Sequence, residues 1–349
     1  MKKILYSVVA LLMLYVGALF WVAREPVVEP VSLPADAMSV LDDPRFAVPE
    51  GWVWSSLDTG AGAVRWGRTD VENTRGTVLF FPGLSAPLEV YFEAFSRMRA
   101  AGFSVIAMDW PSQGGSERGS SHPQKIHATS LDGHVAAATQ LIDQVFDGDA
   151  STSRFVVGLS MGAQLGTRVV ADHPDIFSAA AFITPAYAIY GNRPTSVDRF
   201  MLRSMRWVGL GERFMPGRSE WQFDMAAHEL RDSDCSHPNP RTRIWQSSMV
   251  VNEALKVGGM TNAFLLAFAQ SGDLAQSDAV TSRISMPVWM PIATADTYVE
   301  NSVAERVCDN LENCRIQAFE NAKHCLFEES DEFYDPFMSD LIAFLNQYS

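Results

Sequence analysis

The chain has 349 residues, 47% hydrophobic and 19% charged, with a formal net charge of −14. That is enough chain for one large core, or for a core carrying an inserted lid. The acidic balance excludes nucleic acid as a partner, because nothing would neutralise phosphates.

The N-terminus differs from the rest. Lys2 and Lys3 precede Ile4 to Ala23, twenty residues without a charge. At about 1.5 Å per residue such a helix spans roughly the 30 Å of a bilayer core. A transmembrane helix is therefore expected within residues 1–24, as a membrane anchor. Positive charge before the run, with Arg24 offset by Glu25 after it, implies a single pass through a bacterial inner membrane, with the body on the periplasmic side. The competing reading is a signal peptide cleaved at Val16-Gly17-Ala18, which releases the protein to the periplasm. Residues 25–50 are proline-rich and acidic and read as an extended linker.

From Trp52 onward short apolar runs alternate with helix-length segments. Thr77 to Phe81, Ser104 to Met108, Phe155 to Gly158, Ala179 to Ile183, Val288 to Ala293 and Arg315 to Phe319 read as strands. Continuous runs of this kind suit a parallel sheet covered on both faces. Leu88 to Ala101, Leu131 to Val145 and Gly162 to Ala171 are amphipathic and read as helices. The alternation predicts an α/β protein with a mostly parallel, doubly wound sheet. It is interrupted once, from about Tyr190 to about Ser282, by helical sequence without comparable strand runs. The expected organisation is a core in two parts, 51–189 and 284–349, with a helical lid at 190–283. A lid there would cover the carboxyl ends of the strands.

Gly158-Leu159-Ser160-Met161-Gly162 follows the run Phe155-Val156-Val157 and opens a helix. Strand, Gly-x-Ser-x-Gly, helix is the setting of a nucleophile elbow, in which Ser160 stands clear of the sheet at a helix N-terminus. Gly158 and Gly162 are the small neighbours that so tight a turn requires. Such a serine needs a base, and a carboxylate to orient that base. Where the chain order is Ser, then Asp or Glu, then His, the base must fall late. Only His324 lies beyond the helical insertion, in a loop after the strand ending at Phe319. Asp296 follows the strand Val288 to Ala293 and is the matching acid; Asp273, Asp278 and Glu300 are its rivals. Two amides must bind the developing oxyanion. Met161, directly after the nucleophile, and Leu84, after Pro82-Gly83, are the candidates.

Together these residues resemble the lysophospholipase and monoacylglycerol lipase group of serine α/β-hydrolases. The resemblance covers about residues 70–347 and rests on Phe81-Pro82-Gly83-Leu84, Met108-Asp109-Trp110, Gln113 to Ser116, the elbow and Ala322-Lys323-His324 to Glu328. Within the insertion, His228 to Asp232 and Val257 to Thr261 look like segments of bacterial lysophospholipases. The resemblance implies an α/β-hydrolase fold with its lid after the sixth strand. It also implies hydrolysis of lipid esters, lysophospholipids or monoacylglycerols, through an acyl-enzyme on Ser160, without a cofactor or metal. A small-ester carboxylesterase or thioesterase would use the same triad, and a non-catalytic module held at the membrane would not need one. The family's usual His-Gly before the oxyanion residue is Pro82-Gly83 here, which alters the rim of the pocket.

Two further features remain. Cys308 and Cys314 are close enough in sequence to bridge, while Cys235 and Cys325 can pair or stay as buried thiols. Arg199, Arg203 and Arg206 line one face of a helix that carries Met201 and Met205 on another. That helix reads as an ordinary lid helix or as one resting on anionic headgroups. Met201, Met205, Trp207, Met215 and Trp221 would form an adaptable wall for an acyl chain.

Overall fold

The computed structural model describes residues 2–29, 31–146, 152–191 and 193–349. Its strands are β1 (Val53–Thr59), β2 (Gly62–Thr69), β3 (Gly76–Phe81), β4 (Phe103–Met108), β5 (Ser153–Leu159), β6 (Ala179–Ile183), β7 (Val288–Ala293) and β8 (Cys314–Phe319). They form one sheet in the order β1-β2-β4-β3-β5-β6-β7-β8. From β4 across to β8 the strands run parallel, and β1 and β2 join antiparallel at the edge.

Every residue of β4, β6 and β7 is buried. Successive side chains leave the sheet on opposite faces, so Leu79, Phe81 and Val156 join one apolar cluster while Phe80 and Val157 join the other. Helices Asp132–Val145 and Met161–Asp172 close the first face; Phe92–Ala100 and Asp331–Gln347 close the second. The β1–β2 hairpin has no counterpart among the strands read from sequence. Its outer strand is mostly exposed and carries Ser55, Ser56 and Asp58 in place of an apolar run.

Between β6 and β7 the chain is helical, with Ser196–Trp207, Ile244–Val251 and Asn262–Ala275 as its longest helices. Ser196–Trp207 starts at a capping box between Thr195 and Asp198. It packs on Asn262–Ala275, and Arg199 is paired with Asp273 across that contact.

The N-terminal run corrects the sequence expectation. A helix forms over Lys2–Val22, but no helix among the described residues is long and apolar enough to cross a membrane. The expected transmembrane anchor is therefore withdrawn, and with it the single-pass placement in an inner membrane. Part of the apolar surface that suggested a span is used in a contact within the protein. Leu19 and Ala23 are buried against Met205 and Leu210, and the Tyr15 ring lies 6.2 Å from that of Phe200. Met201 and Met205 accordingly face this helix rather than forming a wall for a substrate, and Trp207 is 86% exposed. Just beyond, Glu25 pairs with Lys125 at 2.7 Å. Farther along the expected linker, Val40 and Phe46 pack on Ile244, and Ser247 donates to the Ala37 carbonyl at 2.6 Å. Pro30, in the same segment, lies outside the described residues.

Candidate active site

β5 ends directly at the elbow. Ser160 has φ 54° and ψ −114°, a conformation that costs strain in a non-glycine residue. Its amide donates to the Ile183 carbonyl at 2.9 Å, and its carbonyl accepts from Ala186 at 3.1 Å, so both sides of the turn are held. A Cβ on Gly158 would sit 2.6 Å from the Gly162 carbonyl oxygen, and one on Gly162 would overlap the Phe81 carbonyl oxygen. Side chains at either place would force the turn open.

His324 stands in the loop after β8 and reaches Ser160 from the other side. Its Nε2 lies 2.9 Å from Ser160 Oγ, and its Nδ1 lies 2.6 Å from Asp296 Oδ2. Asp296 has no exposed side-chain surface. Its second oxygen accepts from the amides of Tyr298 at 2.7 Å and Val299 at 3.1 Å, which satisfies the carboxylate where it sits after β7. With Nδ1 facing a carboxylate, the neutral imidazole carries its proton there and leaves Nε2 free to accept one. The structure thus brings Ser160, His324 and Asp296 into one hydrogen-bonded chain. Asp273 is elsewhere, paired with Arg199.

Leu84 lies in the loop after β3. Its neighbours are anchored: the Gly83 amide donates to Tyr91 Oη at 3.2 Å, and the Ser85 amide donates to Gln113 Oε1 at 2.6 Å. No acceptor is found for the Leu84 amide among the described residues. Met161 opens its helix, where the leading amides have no acceptor within the helix. Gln113 Nε2 also contacts Met161 Sδ at 4.0 Å, so one buried amide side chain braces both neighbourhoods. Trp110 Nε1 donates to the Pro82 carbonyl at 2.9 Å, which secures the proline that stands where the family usually has histidine. Behind the loop, Asp109 accepts from the amides of Leu88 at 3.1 Å and Gly115 at 2.9 Å. Burial pushes that carboxyl above its ordinary range, opposed by the Arg65 guanidinium at 2.5 Å.

The family model described as "Serine aminopeptidase, S33" matches residues 72–331. The chain belongs to that family. Among its relatives, the probable lysophospholipase L2 of Haemophilus influenzae is 25% identical over 248 residues, covering 71% of this chain and 76% of the relative. Lysophospholipase L2 of Escherichia coli K12 is 21% identical over 293 residues, covering 82% and 85%. The crystal structure of Paleococcus ferrophilus monoacylglycerol lipase superposes with a TM-score of 0.63 at 20% identity, over 82% of this chain and 99% of that one. The member described here is a serine ester hydrolase with the α/β-hydrolase fold.

Several residues around this family member's site were not singled out from sequence. Glu329 is fully buried and accepts from the amides of Lys323 at 2.8 Å and His237 at 2.9 Å, tying the histidine loop to the helical insertion. Thr184 Oγ1 donates to the His324 carbonyl at 3.0 Å. Neither gave a signal in sequence: Glu329 stands in an acidic run between Glu328 and Ser330. The four cysteines form two disulfides, Cys308–Cys314 and Cys235–Cys325. The second joins the insertion to the residue after His324, a link that chain order could not specify.

Proposed function

We propose that the protein hydrolyses carboxylic esters of lipids, lysophospholipids or monoacylglycerols, through an acyl-enzyme on Ser160. The observation that carries this reading is the unbroken chain from Asp296 through His324 to Ser160 Oγ. His324 takes the Ser160 proton as the oxygen attacks the ester carbonyl, then delivers it to the departing alcohol. Asp296 holds the imidazole and stabilises its cationic form. The amides of Leu84 and Met161 bind the oxyanion, whose charge appears at the N-terminus of the helix Met161–Asp172. Water then releases the acyl group by the same route. Residues 190–283 serve as the lid over a core made of 51–189 and 284–349. The lipid character of the substrate is supported by relatives named lysophospholipase and by a structural neighbour named monoacylglycerol lipase.

Replacing Ser160 by Ala tests the mechanism. Fatty-acid release should fall by about 10³-fold or more. Release at the wild-type rate would remove Ser160 from the chemistry. A preference for acetyl or butyryl aryl esters over long-chain ones would move the substrate to small esters with the mechanism intact.

A further inference from the structure

Of the two disulfides, only one lies beside the triad. Cys325 follows His324 directly, and its partner Cys235 belongs to the helical insertion. The Cys325 amide donates to the Cys235 carbonyl at 2.8 Å, so the two segments are joined by backbone as well as by sulfur. A carboxylate stands next to the pair. Glu328 lies within 4.8 Å of both sulfurs. Its position is fixed, with its amide donating to the Cys325 carbonyl at 2.7 Å and its own carbonyl accepting from Asn239 Nδ2 at 2.9 Å.

The Glu328 carboxylate forms no ion pair and no hydrogen bond among the described residues. Burial alone pushes it up to about 7, and no charged group opposes the rise. A carboxylate so placed normally has a partner. Two sulfurs and a carboxylate are also a donor set for a thiophilic metal, but sulfurs bonded to each other offer it no thiolate. Opening the disulfide supplies what Glu328 lacks, because a thiol is a hydrogen-bond donor and a carboxylate its acceptor. The same carboxylate is then a base. Exchange needs one, since the thiolate and not the thiol attacks a disulfide.

We propose that Cys235, Cys325 and Glu328 form a thiol–disulfide exchange site, with an external thiol or disulfide as co-reactant and Glu328 as the proton carrier. Cys235 is the point of attack: it is partly exposed and follows the exposed residues 230–234, whereas Cys325 is buried. In closing, Cys235 gives its proton to Glu328 and its sulfur attacks an external disulfide, R–S–S–R. One R–S⁻ leaves and takes that proton. Cys325 then gives its proton to Glu328 as its sulfur displaces the second R–S⁻ from Cys235, and that group also departs as R–SH. Two cysteine thiols lose two electrons, and one external disulfide gains them. Opening is the reverse, with R–SH as reductant. The closed bond tethers the residue after His324, so turnover follows the state of the bond whichever ester is the substrate.

The test opens both disulfides of wild type and Glu328→Gln with dithiothreitol in native buffer, then closes them with oxidised glutathione at pH 7. Alkylation and peptide mass follow each pair, with Cys308–Cys314 as the internal control. The closing rate of Cys235–Cys325, divided by that of Cys308–Cys314, should fall about fivefold or more in the variant. A smaller fall overturns Glu328 as the proton carrier. A Cys235–Cys325 bond that resists the reductant until the protein unfolds overturns the exchange site itself. Turnover of an aryl ester should recover in step with that bond, and recovery ahead of it overturns the link to His324. Should Glu328→Gln not fold, wild type decides alone. From pH 7 to 8.5 the closing of Cys308–Cys314 should quicken about tenfold, as exchange between ordinary thiols does near about 8.5. Closing of Cys235–Cys325 should quicken only about twofold, because Glu328 is already about half ionised at pH 7. A gain of about fivefold or more there overturns the proposal.

Discussion

The two sides of the site are held by different means. The serine side is local: β5, the elbow and the following helix lie within about twenty residues, and backbone close approach fixes the geometry. The histidine side is assembled at long range. The loop from Lys323 to Glu329 is clamped by the insertion through the Cys235–Cys325 disulfide, the Glu329 bonds to His237 and the Lys323 pair with Asp232 at 2.6 Å. Ser160 is therefore positioned by the core itself, while His324 depends on a segment about ninety residues away. Damage to the first side should act on folding, and damage to the second on turnover as well as on stability.

Gly162→Ala should show the largest effect on the serine side. The added methyl would overlap the Phe81 carbonyl oxygen, which belongs to β3 and cannot swing aside as a flexible side chain would. We expect a loss of roughly 3 kcal/mol or more, in the range of severe overpacking, read as a fall in denaturant midpoint or as no soluble protein. A variant of near-normal stability would show that the elbow has room to relax, and the contrast between the two sides would weaken.

The disulfides sharpen the comparison because one lies on the histidine side and one does not. By loop-closure entropy, removing the 90-residue link Cys235–Cys325 should cost roughly 4–5 kcal/mol, and removing Cys308–Cys314, six residues apart, roughly 2–2.5 kcal/mol. The kinetic split is more telling. Cys235→Ser with Cys325→Ser should lower kcat about tenfold in the protein that remains folded, because the residue next to His324 loses its tether. Cys308→Ser with Cys314→Ser should leave kcat within about twofold, since that bond sits between a peripheral helix and β8. Equal kcat losses in the two double variants would contradict a special role for the long link.

The same division explains what could be read from sequence. β3 to β7 were legible because strands buried on both faces write themselves as apolar runs; β8, the edge strand, is mostly unburied and mixes Arg315 and Gln317 with its apolar residues. Ser160, Asp296 and His324 were legible because their order along the chain and their places after strands are constrained. The proposed oxyanion amides of Leu84 and Met161 rest on backbone position alone. Glu329 was not, and the Cys235–Cys325 pair stood only as an alternative to two buried thiols, since contacts between residues about ninety positions apart leave no local periodicity. The N-terminal run failed for another reason. An apolar stretch has the same composition whether it faces lipid or packs on a helix of the insertion, and here Leu19 and Ala23 pack on Met205 and Leu210.

The smallest predicted effect separates two buried groups that mask each other. Burial pushes His134 down to about 4, with a hydrogen bond to the Pro111 backbone opposing it. The unfolded chain takes up that proton near its ordinary value of about 6.5, so His134 costs stability as pH falls from about 6.5 to about 4. Glu328 runs the other way. Its folded value of about 7 lies above an unfolded value near 4.5, so it costs stability as pH rises from about 4.5 to about 7. Between about pH 4.5 and 6.5 the two slopes oppose each other, and wild type should show little pH dependence from this pair. Glu328→Gln removes one slope. Relative to wild type it should be unchanged near pH 4.5 and more stable by about 1–3 kcal/mol at pH 7, measured by urea unfolding across that range. If the two proteins keep a constant difference from pH 4.5 to 7, the carboxyl titrates as an ordinary acid. The unpaired burial that makes the histidine side costly in the free protein would then be absent.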